Sequence, residues 1–440
     1  MTPPPGSPGD TGPASPGSRK SWNPGSLALL GGFCLFLSTI EYLIPKPLPF
    51  MRIGLANLPL ILALDLFPPV PFALLVLLKI SGQALITGTL FSYVFVFSLA
   101  GSSASALVMY SLRRLLGKNR ISFTGVGIAG AVLSNLVQLV LARLFVFGEG
   151  VRFLAPVFLI SGLISGGALG FFCEAFAARS RWFRRALGED EAPPVLHENK
   201  NFGVSGGPAP RQEARRFKPS FRQRRQEQWN RLFPGGDLFI AGLFIMVIFL
   251  FTSSLVFKTL QFLFFWLLAA LSGRKIRLLT ALLVMLGIVF GSLLVPYGKI
   301  LAEWGPLQIS QGALLAGLRR ALTLEGLVLL SGAFIRPDLR LPGAFGALLG
   351  ESFRLFAVLQ NRKTNFTRKR IIEGIDGLML ELDQGGAADP GPAAPALARR
   401  RPASAALLGA MVLVCALLAL ADEGAALQWA ERILWGPYSG

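Results

Sequence analysis

Long apolar runs, broken by short charged or proline-rich stretches, set the rhythm of this chain. A first series lies near 27–44, 53–67, 72–90, 92–112, 124–146 and 153–177, and a second near 238–257, 259–273, 278–298 and 309–335. Runs of about 18 or more apolar residues read as membrane-spanning helices, so the pattern predicts six spans and then four. The second run is short for a full crossing, which predicts a tilted helix or one packed against protein. An amphipathic segment follows at 341–360, and one last apolar run at 404–422 predicts a final span. The predicted fold class is therefore an all-α polytopic membrane protein.

The intervening stretches set the domain limits. Residues 1–25 are rich in Pro, Gly and Ser and are expected to be disordered. No small-residue cleavage site ends the first apolar run, which reads as a retained span. A six-span domain is expected over 26–178. The basic stretch 178–236 holds thirteen Lys or Arg against six acids and reads as a cytoplasmic linker over 179–236, part of it suited to lie on anionic lipid. A second membrane domain is expected over 237–370, then a cytoplasmic segment and Pro/Ala linker over 371–403, and the C-terminal span.

Composition sharpens this picture. Of 440 residues, 52% are hydrophobic and 15% charged, against about 25% charged in a soluble domain. The net charge of +19 would suit nucleic acid, but the cations sit between spans and lack interleaved aromatics, so no nucleic-acid partner is expected. They instead obey the positive-inside rule. A cytoplasmic N-terminus puts "RRLLGKNR", the 178–236 stretch, "SGRKIR", "NRKTNFTRKR" and Arg399–Arg401 on the inner side, leaving Lys46, Arg52, Arg152 and Lys299 outside. That arrangement suits a bacterial cytoplasmic membrane. Cys34, Cys173 and Cys415 lie in apolar runs and read as small hydrophobes. The single histidine, His197, sits in the linker, so neither a His-based triad nor a zinc site is expected within the membrane.

Ionisable and amide side chains at membrane depth are costly and face a cavity or a partner. Here they are Glu41, Lys79, Arg143 and Glu174, with Asn57, Gln83, Asn135 and Gln138. In "EYLIPKPLPFMRIGLAN", Pro45, Pro47 and Pro49 make a stiff non-helical connector flanked by Glu41 and Arg52. It suits either a lid over a pocket or a rigid turn with a Glu–Arg pair. Asn135 and Gln138 share a helix face, as do Lys79 and Gln83; Lys79, near the cytoplasmic end of its run, can also snorkel. The candidate solute-binding set is Glu41, Pro45, Pro47, Pro49, Arg52, Asn57, Gln83, Asn135 and Gln138. Gly162, Gly166 and Gly170 form a double GxxxG, and Ala28 and Gly32 a similar spacing, which predict close helix packing. No GxxxxGK[ST] phosphate loop, DDxxD-like acidic pair or dinucleotide fingerprint occurs. No catalytic residue, metal or cofactor is therefore expected in this chain.

On "EYLIPKPLPFMRIGLAN", "GTLFSYVFVFSLAGSSASALVMY" and "ISFTGVGIAGAVLSNLVQLVLA", residues 27–177 resemble the Gx transporter family, also labelled heptaprenyl diphosphate synthase component I. Ser134 stands where that pattern often has His. Such proteins look like the substrate-binding S components of energy-coupling factor transporters. The resemblance implies a six-helix bundle holding a small solute near its outer face, capped by the loop after the first helix. It also implies docking of the Ala28/Gly32 face on a transmembrane coupling component. Residues 238–370, through "GLRRALTLEGLVLLSGAFIRPDLRLPGAFGALLGESFRLF", resemble that coupling (T) component, without the Ala-Arg-Gly-like motif that seats its ATPases. ATP would then be hydrolysed by partner ATP-binding-cassette subunits. Three functions compete: an importer subunit, an accessory component of heptaprenyl diphosphate synthase in menaquinone side-chain synthesis, and a non-transporting scaffold whose basic linkers recruit lipid or partners.

Overall fold

A computed structural model describes residues 24–43, 53–117, 119–189, 221–273, 278–295, 298–304, 307–336, 343–361, 371–383 and 402–435. Pro45, Pro47, Pro49 and Arg52, His197, and most of the charged connectors lie outside the described residues. The first half consists of α1 (Pro24–Leu43), α2 (Leu58–Leu66), α3 (Pro69–Thr87), α4 (Tyr93–Leu116), α5 (Phe123–Ala142) and α6 (Ala155–Arg179). The helices start and stop where local chemistry allows. Pro sits in the first turn of α2, α3 and α6, where its missing N–H costs nothing. Ser122 caps α5 by accepting from the Gly125 N–H, and Gly88, with φ +66°, ends α3 in the left-handed turn that glycine tolerates best.

The nine residues of α2 span about 14 Å, too short to cross a bilayer. Its Pro59–Leu64 stretch is buried instead, so α2 sits inside the bundle. Helices α5 and α6 meet almost backbone to backbone. A Cβ on Gly166 would stand 2.6 Å from the Gly127 carbonyl oxygen, and one on Gly170 would stand 2.5 Å from that of Phe123. Beyond α5 the chain continues through a π turn, Arg143–Phe147, and a 3₁₀ turn, Gly148–Phe153.

The short α7 (Arg181–Leu187) closes the first half, and the second holds α8 (Phe221–Leu232), α9 (Gly235–Phe251), α10 (Leu255–Leu271) and α11 (Leu278–Leu293). The short hairpin β1 (Ile300–Trp304) and β2 (Leu307–Ser310) comes next. Helices α12 (Gln311–Phe334), α13 (Gly343–Asn361), α14 (Ile371–Asp383) and α15 (Pro402–Trp435) complete the chain. Among the described residues six helices are long and apolar enough to cross a membrane, or seven if the α8–α9 pair, bent by 86°, counts as one span. This is an all-α polytopic membrane protein. The second block departs from four plain spans. Helices α9, α10 and α11 are 17, 17 and 16 residues long, and the 24-residue α12 carries Arg319, Arg320 and Glu325. The hairpin before α12 was not expected, because its alternating segments are only four and five residues long.

The two halves share their cores. Leu355 and Leu359 of α13 and Met379 and Leu382 of α14 pack with Leu29, Phe33 and Trp182 of the first half. Ile288, Ala321 and Leu324 pack with Phe97 and Phe158, while the Phe91 N–H donates to Ser331 Oγ at 3.0 Å. A buried carboxylate ties α14 to the first half. Asp376 accepts from Ser180 Oγ and from the backbone N–H groups of Arg181 (3.1 Å) and Trp182 (2.9 Å), capping α7. Asp376→Ala is expected to cost about 1–2 kcal/mol and to open the 180–188 elbow to protease. Unchanged cleavage and melting would show that the cap carries no weight.

Candidate functional site

Polar side chains from α1 and α3–α6 and from the turn before α2 converge on one cavity. Glu41 ends α1 at 6% exposure, and its Oε1 accepts from the Ile53 N–H at 2.9 Å. That bond ties the last turn of α1 to the re-entry of the chain. Gly54, at φ +87°, turns the backbone into a 3₁₀ turn, Leu55–Asn57, that delivers Asn57 inward. Lys79, 3% exposed in mid-α3, donates to Asn57 Oδ1 and to Ser102 Oγ at 3.3 Å. Such burial of an ammonium is tolerated only where its protons find partners. Along α4, Ser98, Ser102 and Ser105 lie on one buried stripe. From α5, Asn135 Nδ2 donates to the Phe158 carbonyl at 2.6 Å, holding α6, and Gln138 Nε2 donates to Ser134 Oγ at 3.0 Å.

These groups line a small cavity of about 30 Å³ that is partly open to the outside. Its polar wall is Glu41, Asn57, Lys79, Gln83, Ser102, Ser105, Ser134, Asn135, Gln138 and Ser165. Its apolar wall includes Ile53, Ile61, Met109 and Leu169. The lumen is narrow, so anything larger than a few waters must part the side chains.

Glu41, Asn57, Gln83, Asn135 and Gln138 thus line one space, although up to 97 positions separate them in the chain. Lys79 faces this cavity rather than snorkelling to the cytoplasmic side. Its signal was its helical spacing from Gln83. Ser102 and Ser105 could have been read from their spacing in "GSSASA", but isolated serines in apolar helices carry little signal. Arg143 and Glu174 are elsewhere: Arg143 is exposed and pairs with Glu149 at 2.6 Å, and exposed Glu174 accepts from Thr124 Oγ1 at 2.9 Å. Gly162 makes room for Asn135, whose Nδ2 would lie 2.6 Å from an added Cβ. Among the described residues no group of three or more His, Cys, Asp or Glu comes together to hold a metal.

A second contact lies at the opposite end of α1. Ala28 is 1% exposed, and its carbonyl accepts from Ser352 Oγ of α13 at 3.2 Å. A Cβ on Gly32 would stand 2.9 Å from Leu355 Cβ and 3.1 Å from the Ser352 carbonyl oxygen. The small-residue face of α1 is therefore covered by a helix of the same chain.

A family model described as heptaprenyl diphosphate synthase component I matches residues 30–176, the stretch that builds the cavity. A second, described as a domain of unknown function (DUF8519), matches residues 238–336. No curated protein and no solved structure matches the chain.

Proposed function

We propose that this chain is the solute-binding subunit of a membrane importer, with α1–α6 holding a small molecule and the second helical block serving as the platform against which that bundle works. The observation that carries this reading is the convergence of Glu41, Asn57, Lys79, Gln83, Asn135 and Gln138 on one cavity within an apolar bundle. Apolar residues would fill the same space without the desolvation penalty of a buried ammonium and amides. Polar groups kept at such depth are best explained by a guest that needs them. The contact of Ala28 and Gly32 with α13 supports an S-like bundle docked in cis on a T-like block. In this reading the N-terminus is cytoplasmic, the membrane is a bacterial inner membrane, and partner ATPases supply the energy.

Native mass spectrometry of the full chain extracted from its own membrane tests the reading. The wild type is expected to carry a small molecule, and Lys79→Met to lose about tenfold in occupancy, as fits the loss of a charge-assisted hydrogen bond. Equal occupancy, or none in either protein, would end it. The match over residues 30–176 favours a second reading, an accessory component of heptaprenyl diphosphate synthase. Under that reading, deleting the gene shortens the quinone side chain and a prenyl synthase copurifies with this protein.

A further inference from the structure

We infer that the guest of this cavity is a compact, water-soluble molecule that donates an N–H or O–H hydrogen bond to Gln138 Oε1 and pairs with Ser105 Oγ, and is not a polyprenyl chain. The inference rests on the solute-binding reading above and adds the chemistry of the solute.

Gln138 and Ser105 are 2% and 1% exposed, and both line the cavity. Gln138 Oε1 and Ser105 Oγ are buried with no hydrogen-bond partner. Buried polar atoms in native proteins are nearly always paired, because an orphan forfeits its hydration without recompense. The pairing pattern says what each unpaired atom can bond. Gln138 Nε2 donates to Ser134 Oγ, so the unpaired end of the amide is the carbonyl oxygen, which only accepts. The guest must therefore supply a donor there. Ser105, one helix over, both donates and accepts, so it takes whatever second polar atom the guest carries.

Apolar Ile61, Met109 and Leu169 line the same cavity. A guest that carries both polar atoms and some hydrophobic surface satisfies such a lining. A polyprenyl tail offers no donor at any point along its length and would leave both oxygens orphaned. Its diphosphate is acceptor-only when fully ionised, so it would meet the Gln138 carbonyl oxygen as another acceptor.

The test uses the full chain in lipid nanodiscs and reads its melting temperature. The probes are the aqueous and organic phases of one biphasic extract of the producing cells, and geranylgeranyl diphosphate as a defined polyprenyl diphosphate. Wild type, Gln138→Met and Ser105→Ala are compared. The aqueous phase is expected to raise the melting temperature of wild type, and the variants to need about tenfold more of it for half the shift. Ser105→Ala removes a single oxygen, so it keeps the test open if Gln138→Met does not fold.

Equal response of all three proteins to the aqueous phase would overturn the inference and leave the carrier reading standing. So would stabilisation by the organic phase or by geranylgeranyl diphosphate alone. No shift with any probe would overturn both.

Discussion

Replacing Asp65 by Ala is expected to destabilise the folded chain by about 3–5 kcal/mol, the cost of stranding a buried charge. Asp65, at the end of α2, takes Arg113 of α4 in a two-pronged grip, Nε at 3.0 Å and Nη2 at 2.8 Å, with side-chain exposures of 6% and 8%. Arg113 also donates to the Ile121 carbonyl, and its guanidinium lies 4.5 Å from the Phe123 ring centroid. Removing the carboxylate takes the bidentate acceptor away from a guanidinium that is almost fully buried. The pair fastens the short α2, which has no length of its own to hold it in the membrane. Thermal unfolding in detergent should show Arg113→Ala to be similarly damaging, whereas Asp65→Leu with Arg113→Leu recovers much of the loss. A single-variant cost below about 1 kcal/mol, the range of exposed pairs, would mean that water reaches the site.

This pair also marks where the sequence runs short. Asp65 closes an apolar run, and Arg113 opens "RRLLGKNR", which reads as inner-loop charge. Nothing along the chain tells that 48 positions close into a bidentate contact. The helices themselves are legible, because apolar run length and the Pro and Gly punctuation act locally. So is the cavity, to the extent that an amide in a lipid-facing helix is costly enough to imply a partner. Lys79 was harder. With the run starting at 72 it sits near one end, but α3 begins at Pro69, which puts Lys79 about 15 Å along the helix, near its middle.

Arg143 shows the converse error, since one step from buried Ala142 turns the side chain by about 100° and out of the bundle. The spacing of Ala28 and Gly32 announces a close neighbour. That the neighbour is α13, more than 310 positions away, is a tertiary choice that no local pattern contains. The proline connector, on which the idea of a lid depends, lies outside the described residues.

On the importer reading proposed above, Gly32→Leu is expected to abolish transport while leaving guest occupancy within about threefold of wild type. The site has no room for the change: an added Cβ would stand 2.9 Å from Leu355 Cβ, 3.1 Å from the Ser352 carbonyl oxygen and 3.3 Å from the Phe356 nitrogen. Two of those three atoms are backbone and cannot rotate aside, so α1 and α13 must part. The cavity is spared by distance, because Glu41 lies nine residues further along α1, roughly 14 Å up the helix. Gly350→Leu is the matched control on α13, since nothing lies within 4 Å of an added Cβ there, and transport should continue.

Occupancy by native mass spectrometry and uptake in whole cells separate the two roles. Loss of occupancy together with uptake would mean that the interface only holds the bundle in shape. Uptake that survives in Gly32→Leu would mean that the two halves of the chain do not work against each other through this face. Only the split result, a filled cavity that no longer delivers, fits a bundle that carries its guest by moving against the helix on which it rests.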